Sequence, residues 1–240
     1  MDRAVGAVAY HHGKTVNVRS RKVCGSMNGE FYLSVFLFAF SASITPGPNT
    51  MMIMSSGVNY GLRQSLPHLA GITLGFPLLT LCIGLGMGTM IFLYPNLMLI
   101  LKVVSVLYLF HLALKVATSA SVKEAHRRRP LSLIEAALFQ WVNPKAWFVS
   151  IGAVSAFTSG SERVVMEVIT LAGIFWLCAL LSSLFWLVSG ATFKRRLEQN
   201  GLRQAFNVVI GALLALSVLP TVVEVFGELN VRLFTALPSA

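Results

Sequence analysis

Charge is scarce in this chain. Of 240 residues only 12% are charged, and nine are acidic. An ordinary soluble domain carries about 25% charged residues to face water, so a wet surface all round is excluded. Cysteine is also scarce: Cys24, Cys82 and Cys178 are odd in number and show no CxxC or His-paired spacing, which speaks against a disulfide framework or a zinc site. The chain has no GxxxxGK[ST] loop, so nucleotide-driven transport has no support, and it implies no cofactor. It also shows no HExxH, paired acids or Ser with a His base at membrane depth, since Glu135 stands alone and the histidines lie apart. An intramembrane enzyme is thereby left without a catalytic constellation.

What the chain has is apolar length. Hydrophobic residues make up 55%, and the mean hydropathy is +0.73. A bilayer core of about 30 Å takes roughly 20 apolar helical residues to cross. Stretches near 31–56, 66–93, 96–117, 131–158, 164–191 and 204–223 meet that need and leave no room for a soluble domain. We therefore expect an all-α integral membrane protein, with the lipid bilayer as its partner. The expected organisation is a transmembrane domain over 27–223 and a C-terminal tail over 224–240. Residues 1–26 are polar and basic and lack the apolar core of a signal peptide. They are expected to be a disordered arm or a start-site artefact, with translation beginning at Met27; His11 and His12 in it have no further metal ligands nearby.

The net charge of +10 does not point to nucleic acid, because the basic residues collect in connectors between apolar spans. The third connector, "KVATSASVKEAHRRRP", holds Lys115, Lys123, Arg127, Arg128 and Arg129, and the fifth holds Lys194, Arg195, Arg196 and Arg203. Connectors "YPN" and "TSGSER" between them offer only Arg163 as a cation. Both basic loops are expected on the cytoplasmic side. Six full crossings then place both termini outside; a first segment that dips in and returns at its prolines places the N-terminus inside. The sequence leaves both open.

An internal echo runs through the chain. "LAGI" occurs at 69–72 and 171–174, Pro46 is matched by Pro144, and "KVVSVL" at 102–107 resembles "NVVIGA" at 207–212, at offsets of 102, 98 and 105. Halves of about 31–117 and 131–223 with three spans each would be inverted relative to each other, as in many secondary transporters.

The stretch "SITPGPNTMMIMSSG" at 43–57 lies in a run with no charge from Phe31 to Leu62. Pro46 and Pro48 remove backbone donors and clash with the preceding turn, so they must break the first helix, with Gly47 as the bend. Backbone groups freed in hydrocarbon cost several kcal/mol each unless protein or a wet cavity meets them. The half-helix after Pro48, with Asn49 and Thr50, offers a dipole end suited to a carboxylate. "QWVNPKAW" repeats the break at Pro144, flanked by Asn143 and by Lys145, whose charge is costly at membrane depth. Snorkelling is the other reading of Lys145.

These motifs carry a resemblance. "TPGPN", "GLRQSLPHLAGITLG", "VLYLFHLALK" and "FQWVNPKA" together resemble the LysE/RhtB family of amino-acid exporters over residues 31 to about 223, most closely its cysteine/O-acetylserine branch. The resemblance implies export of small amino acids or close derivatives from the bacterial cytoplasm across the inner membrane, driven by the proton-motive force. On the combined reading the substrate site comprises Thr45, Pro46, Gly47, Pro48, Asn49, Gln140, Asn143, Pro144 and Lys145. A non-transporting membrane scaffold and an intramembrane enzyme are the alternatives.

Proton coupling needs a titratable group near the path. Glu135, five residues before Gln140, is the candidate, against a plain interfacial role beside Arg127–Arg129. His68, His111 and Lys102 are expected near membrane edges. Trp141 and Trp147 flank the second break and read equally as interface anchors. Gly71 and Gly75, and Gly84 and Gly88, form GxxxG pairs that let the second span approach a neighbour closely, either inside the chain or in the second subunit of a homodimer.

Overall fold

Proline sets the first break. The chain forms α1 over Gly29–Ile44 and α2 over Pro48–Tyr60, and their axes diverge by 55°. The structure, a computed structural model, describes residues 29–118, 129–159, 162–199 and 202–236. The expected N-terminal arm, with Cys24, His11, His12 and Met27, lies outside the described residues, as do Lys123, Arg127 and Arg128.

After Tyr60 the chain turns at Gly61, whose φ of +81° is left-handed and cheap only for glycine. Helix α3, Leu62–Cys82, follows and passes through a π-type turn at Ile83–Met87 into α4, Gly88–Leu93. Gly86, with φ of +128°, bends that junction. Helix α5 spans Pro95–Ala117. The second half comprises α6 (Leu133–Phe139), a 3-10 turn (Gln140–Val142), α7 (Pro144–Phe157), α8 (Val164–Gln199) and α9 (Arg203–Ala236).

Among the described residues, four stretches are long and apolar enough to cross a bilayer: Leu62–Met87, Asn96–Ala117, Val164–Leu197 and Arg203–Arg232. The bent α1–α2 pair makes a fifth. Helices α6 and α7 are each too short, but at about 1.5 Å per residue the two laid end to end reach about 30 Å. The expected fourth segment is thus two half-helices.

The course of the first segment follows from its ends. Phe31, near the start of α1, meets Phe157, the last residue of α7, with ring centroids 6.3 Å apart. Tyr60, the last residue of α2, lines a cavity with Lys115 and Arg129. Close by, Arg203 bonds Asn59, and Gln204 donates to the Ala117 carbonyl. The α1–α2 pair therefore runs from one end of the molecule to the other, basic, end instead of returning at its prolines. The α6–α7 pair runs the opposite way, from Arg129 to Phe157.

Helix α8 is the central post, with α1, α2 and α3 packed along it, while α6 packs on α3 and α5 on α9. Large apolar side chains face outward, among them Leu107 at 65% exposure and Val223 at 70%. Such a surface suits lipid and would be untenable in water. The interior instead holds Ser56, Asn59, His68, Gln140, Asn143, Ser182 and Asn207, all buried.

Both glycine pairs find neighbours inside the chain. A Cβ at Gly75 would fall 2.6 Å from the Ala137 Cα, and one at Gly71 would strike the Leu133 carbonyl, so both let α3 approach α6. Gly84 meets Val168 of α8 in the same way. Gly88 is the exception: it meets Ile83 of its own segment and brings no second helix close.

Two boundaries differ from expectation. Helix α8 runs to Gln199, and α9 continues through most of the expected tail to Ala236. Glu224 and Glu228 of that extension both bind Lys102, Glu224 at 3.2 Å, and Arg232 bonds Asn96. These pairings anchor the last turns of α9 on α5.

Candidate functional site

Breaking α1 at Pro46 leaves its last carbonyls without intrahelical donors, and other elements supply them. Ser182 Oγ donates to the Ser43 carbonyl at 2.7 Å and Trp186 Nε1 to that of Ile44 at 3.3 Å, both from α8. Lys145 Nζ donates to the Thr45 carbonyl at 2.8 Å. A cation at a helix C-terminus also meets the negative end of its dipole. The charge that is costly at membrane depth is thus placed against the backbone that the first break exposes.

The start of α2 is capped locally. Gly47 stands extended, its amide donates to Thr50 Oγ1 at 2.8 Å, and Thr50 Oγ1 reaches the Gly47 carbonyl at 2.9 Å. Pro48 occupies the first helical position, where no amide hydrogen is required. The amides of Asn49 and Thr50 belong to the first turn, which has no intrahelical acceptors.

The second break is built similarly. Asn143 is the extended residue ahead of Pro144, which again takes the first helical position, of α7. Trp147 Nε1 donates to the Trp141 carbonyl at 2.8 Å, closing the 3-10 turn, and the two indoles meet edge to face at 6.2 Å. Both tryptophans therefore serve the break itself.

The two breaks join. Asn49 Nδ2 donates to Gln140 Oε1 at 2.8 Å, and Gln140 Nε2 returns a bond to Asn49 Oδ1 at 3.1 Å. Between the breaks lies a small cavity of about 40 Å³, room for water-sized groups, which a whole amino acid would have to widen. Gly47, Asn49, Asn143 and Lys145 line it, with Ser43, Thr50, Ser182 and Ser183. Two buried oxygens of this lining, Asn143 Oδ1 and Ser43 Oγ, have no hydrogen-bond partner. Gly47 leaves room for Lys145: a Cβ there would lie 3.0 Å from its Cδ and 3.1 Å from its Nζ.

The other expected site residues stand around this cavity. Thr45 and Pro46 are exposed, and Thr45 contributes its carbonyl to Lys145. Pro48 and Pro144 shape the breaks from behind, and Gln140 sits behind Asn49, fully buried. Glu135 does not line the cavity. It completes a capping box with Ser132 at the start of α6 and forms a two-pronged ion pair with exposed Arg129, at 2.7 and 3.0 Å.

The residues that sequence reasoning missed are the hydroxyls. Ser43, Ser182 and Ser183 look like ordinary small residues of apolar helices. His68, expected at an edge, is 1% exposed, and its Nδ1 lies 2.8 Å from Ser56 Oγ. A serine and a histidine therefore do meet in this fold, twelve residues apart in sequence. Among the described residues, no third residue bonds the ring's other nitrogen.

Comparison with known proteins fits this geometry. The family model described as LysE type translocator matches residues 40–219, which include both breaks and all of the cavity's lining. Similar proteins include the cysteine/O-acetylserine efflux proteins of Escherichia coli (strain K12), Shigella flexneri serotype 5b (strain 8401) and Shigella sonnei (strain Ss046). Each is 28% identical over 184 residues, covering 76% of this chain and 93% of the relative. No solved structure matches significantly.

Proposed function

This chain belongs to the LysE type translocator family, and we propose that it exports small neutral amino acids or close derivatives across a bacterial cytoplasmic membrane, as a secondary transporter drawing on the proton-motive force. The observation that carries this reading is the meeting of two broken helices at one polar cavity. Its two kinds of polar group suit the two ends of a zwitterion. Lys145 and the first-turn amides of Asn49 and Thr50 would take the carboxylate. Asn143 Oδ1 and Ser43 Oγ, acceptors without partners, would take the ammonium group. A cysteine-sized or O-acetylserine-sized side chain would lie against Ile72, Phe76 and Val149.

The opposite courses of the α1–α2 and α6–α7 pairs support an inverted repeat, in which each half supplies one broken helix to a site near mid-membrane. The basic end, with Lys115, Arg129, Lys194 and Arg203, would face the cytoplasm. Both termini of the helical domain would then lie outside.

The test is efflux from cells loaded with dipeptides of candidate amino acids, comparing external accumulation with and without the protein. Asn143→Ala and Lys145→Ala should each lower efflux at least tenfold at unchanged membrane abundance, the scale of one lost charge-assisted hydrogen bond of about 1.5–3 kcal/mol. Unchanged efflux in both variants would remove the cavity from the transport path.

A further inference from the structure

A second small cavity, of about 60 Å³, lies at the basic end of the molecule between α2, α3, α5 and the residues leading into α6. Its polar lining includes Ser55, Ser56, Asn59, His68, Lys115 and Arg129. Helix α2 divides its length between the two cavities. Gly47, Asn49 and Thr50 at its start face the first, while Met52, Ser55, Ser56 and Asn59, one face at helical spacing, line the second.

His68 is the informative group. Its ring is 1% exposed, Nδ1 lies in hydrogen-bond contact with Ser56 Oγ, and Nε2 is buried with no partner among the described residues. The Ser56 hydroxyl donates to Nδ1 in one tautomer of the ring, and in that tautomer the proton sits on Nε2. A buried donor left without an acceptor is unfavourable, and a ligand bearing an acceptor relieves it. Among the described residues, the charged side chains of the lining are Lys115 and Arg129, both cationic, with no carboxylate. Arg129 is partly offset by Glu135, which holds it from outside. Met52, Leu112 and Leu131 complete the wall with apolar surface.

We infer that this cavity is an intake subsite, where the carboxylate of the amino acid docks on His68 Nε2 from the basic side before the substrate moves along α2 to the cavity between the breaks. The inference rests on the export reading above and adds to it a second binding position with its own chemistry. His68 would touch the substrate there and take no part in holding the central cavity.

Two vesicle orientations separate the faces. Inside-out membrane vesicles take up radiolabelled cysteine or O-acetylserine through the cytoplasmic face, and right-side-out vesicles loaded with the same probe read the outer face by exchange. His68→Asn places an amide near Nδ1, retaining a partner for Ser56 while deleting Nε2. His68→Gln places an amide nitrogen near Nε2. At equal membrane abundance, His68→Asn should raise the half-saturation concentration at the cytoplasmic face about tenfold, the worth of one hydrogen bond to a charged group. Its maximal rate and outer-face half-saturation should stay within about twofold of wild type, and His68→Gln should recover most of the loss. Should His68→Asn fail to insert, Ser56→Ala, which frees the ring, should raise the same value about threefold.

Wild-type curves in the inserted variants, equal shifts at both faces, or identical behaviour of the Asn and Gln variants would each overturn the subsite. Wild-type vesicles that take up neither probe nor any common amino acid would overturn the export reading itself. Wild-type uptake with unshifted variants overturns the subsite alone.

Discussion

Asn49 and Gln140, 91 residues apart in the chain, exchange two hydrogen bonds through their side-chain amides. Each comes from one of the two broken segments, so the pair ties the halves of the molecule together beside the candidate site. Gln140→Ala would take the partner from both ends of the part-buried Asn49 amide, at a cost of about 1–3 kcal/mol. In thermal unfolding of the detergent-solubilised protein, Asn49→Ala with Gln140→Ala should lose less than the sum of the single changes. Strict additivity would mean that the pair contributes nothing as a pair.

Gly190 permits the crossing of α8 over α2. A Cβ on it would run into the Met54 backbone carbonyl, and one on Gly57 would come within 2.5 Å of the Leu187 carbonyl oxygen. Backbone cannot swing aside as a side chain does, so Gly190→Ala should destabilise by about 1–3 kcal/mol and lower membrane abundance. Gly173→Ala and Gly227→Ala, where a Cβ meets open space, should leave abundance unchanged. Abundance measured by tagged immunoblot decides between them.

Gly47→Ala tests a subtler contact. Its Cβ would press only on the flexible Lys145 side chain, so the fold should persist while Lys145 is displaced from Thr45. We expect normal abundance with efflux lowered about tenfold, matching loss of a charge-assisted hydrogen bond. Full efflux would show that Lys145 does not need that resting place.

Glu135→Gln distinguishes proton coupling from helix capping. Its carboxylate receives the Ser132 amide at 2.8 Å and the Arg129 guanidinium, outside the cavity. We expect a stability loss of about 1 kcal/mol, typical of a cap, with efflux still responsive to the proton gradient. Efflux made indifferent to a protonophore would assign the proton to Glu135 after all.

Lys102 offers the contrasting case of an anchor. Its ammonium meets both Glu224 and Glu228 on α9, and these acids are themselves 45% and 37% exposed. Partly exposed pairs are worth about 0–1 kcal/mol, so Lys102→Met should cost little stability and no transport. A large efflux defect at normal abundance would overturn the structural role.

The breaks were legible because proline acts locally: the missing amide hydrogens at Pro46, Pro48 and Pro144 dictate an interruption whatever surrounds them. Asn49, Asn143 and Lys145 were legible for the same reason, as polar groups beside those interruptions. Ser182 and Trp186 were not, since a lone hydroxyl or indole on an apolar helix carries no periodic sign that it faces a carbonyl some 140 positions earlier. His68 does lie toward the basic end, where its position in the chain put it; what the sequence did not show is that the approach of α2 to α3 encloses it. The length of α9 was missed because hydropathy falls at Glu224 and Glu228, whose partner Lys102 lies on another helix.

Helix α2 is a short rod fastened by amides at its two tips, Asn49 to Gln140 at one and Asn59 to Asn207 and Arg203 at the other. Near its middle it meets α8 backbone to backbone, Gly190 on Met54 and Gly57 on Leu187, with Ile53 and Leu187 packed alongside. That contact has the makings of a fulcrum. Tilting the rod about it would exchange hydrogen bonds at the tips while sparing the midpoint, so opening one end and shutting the other become a single motion.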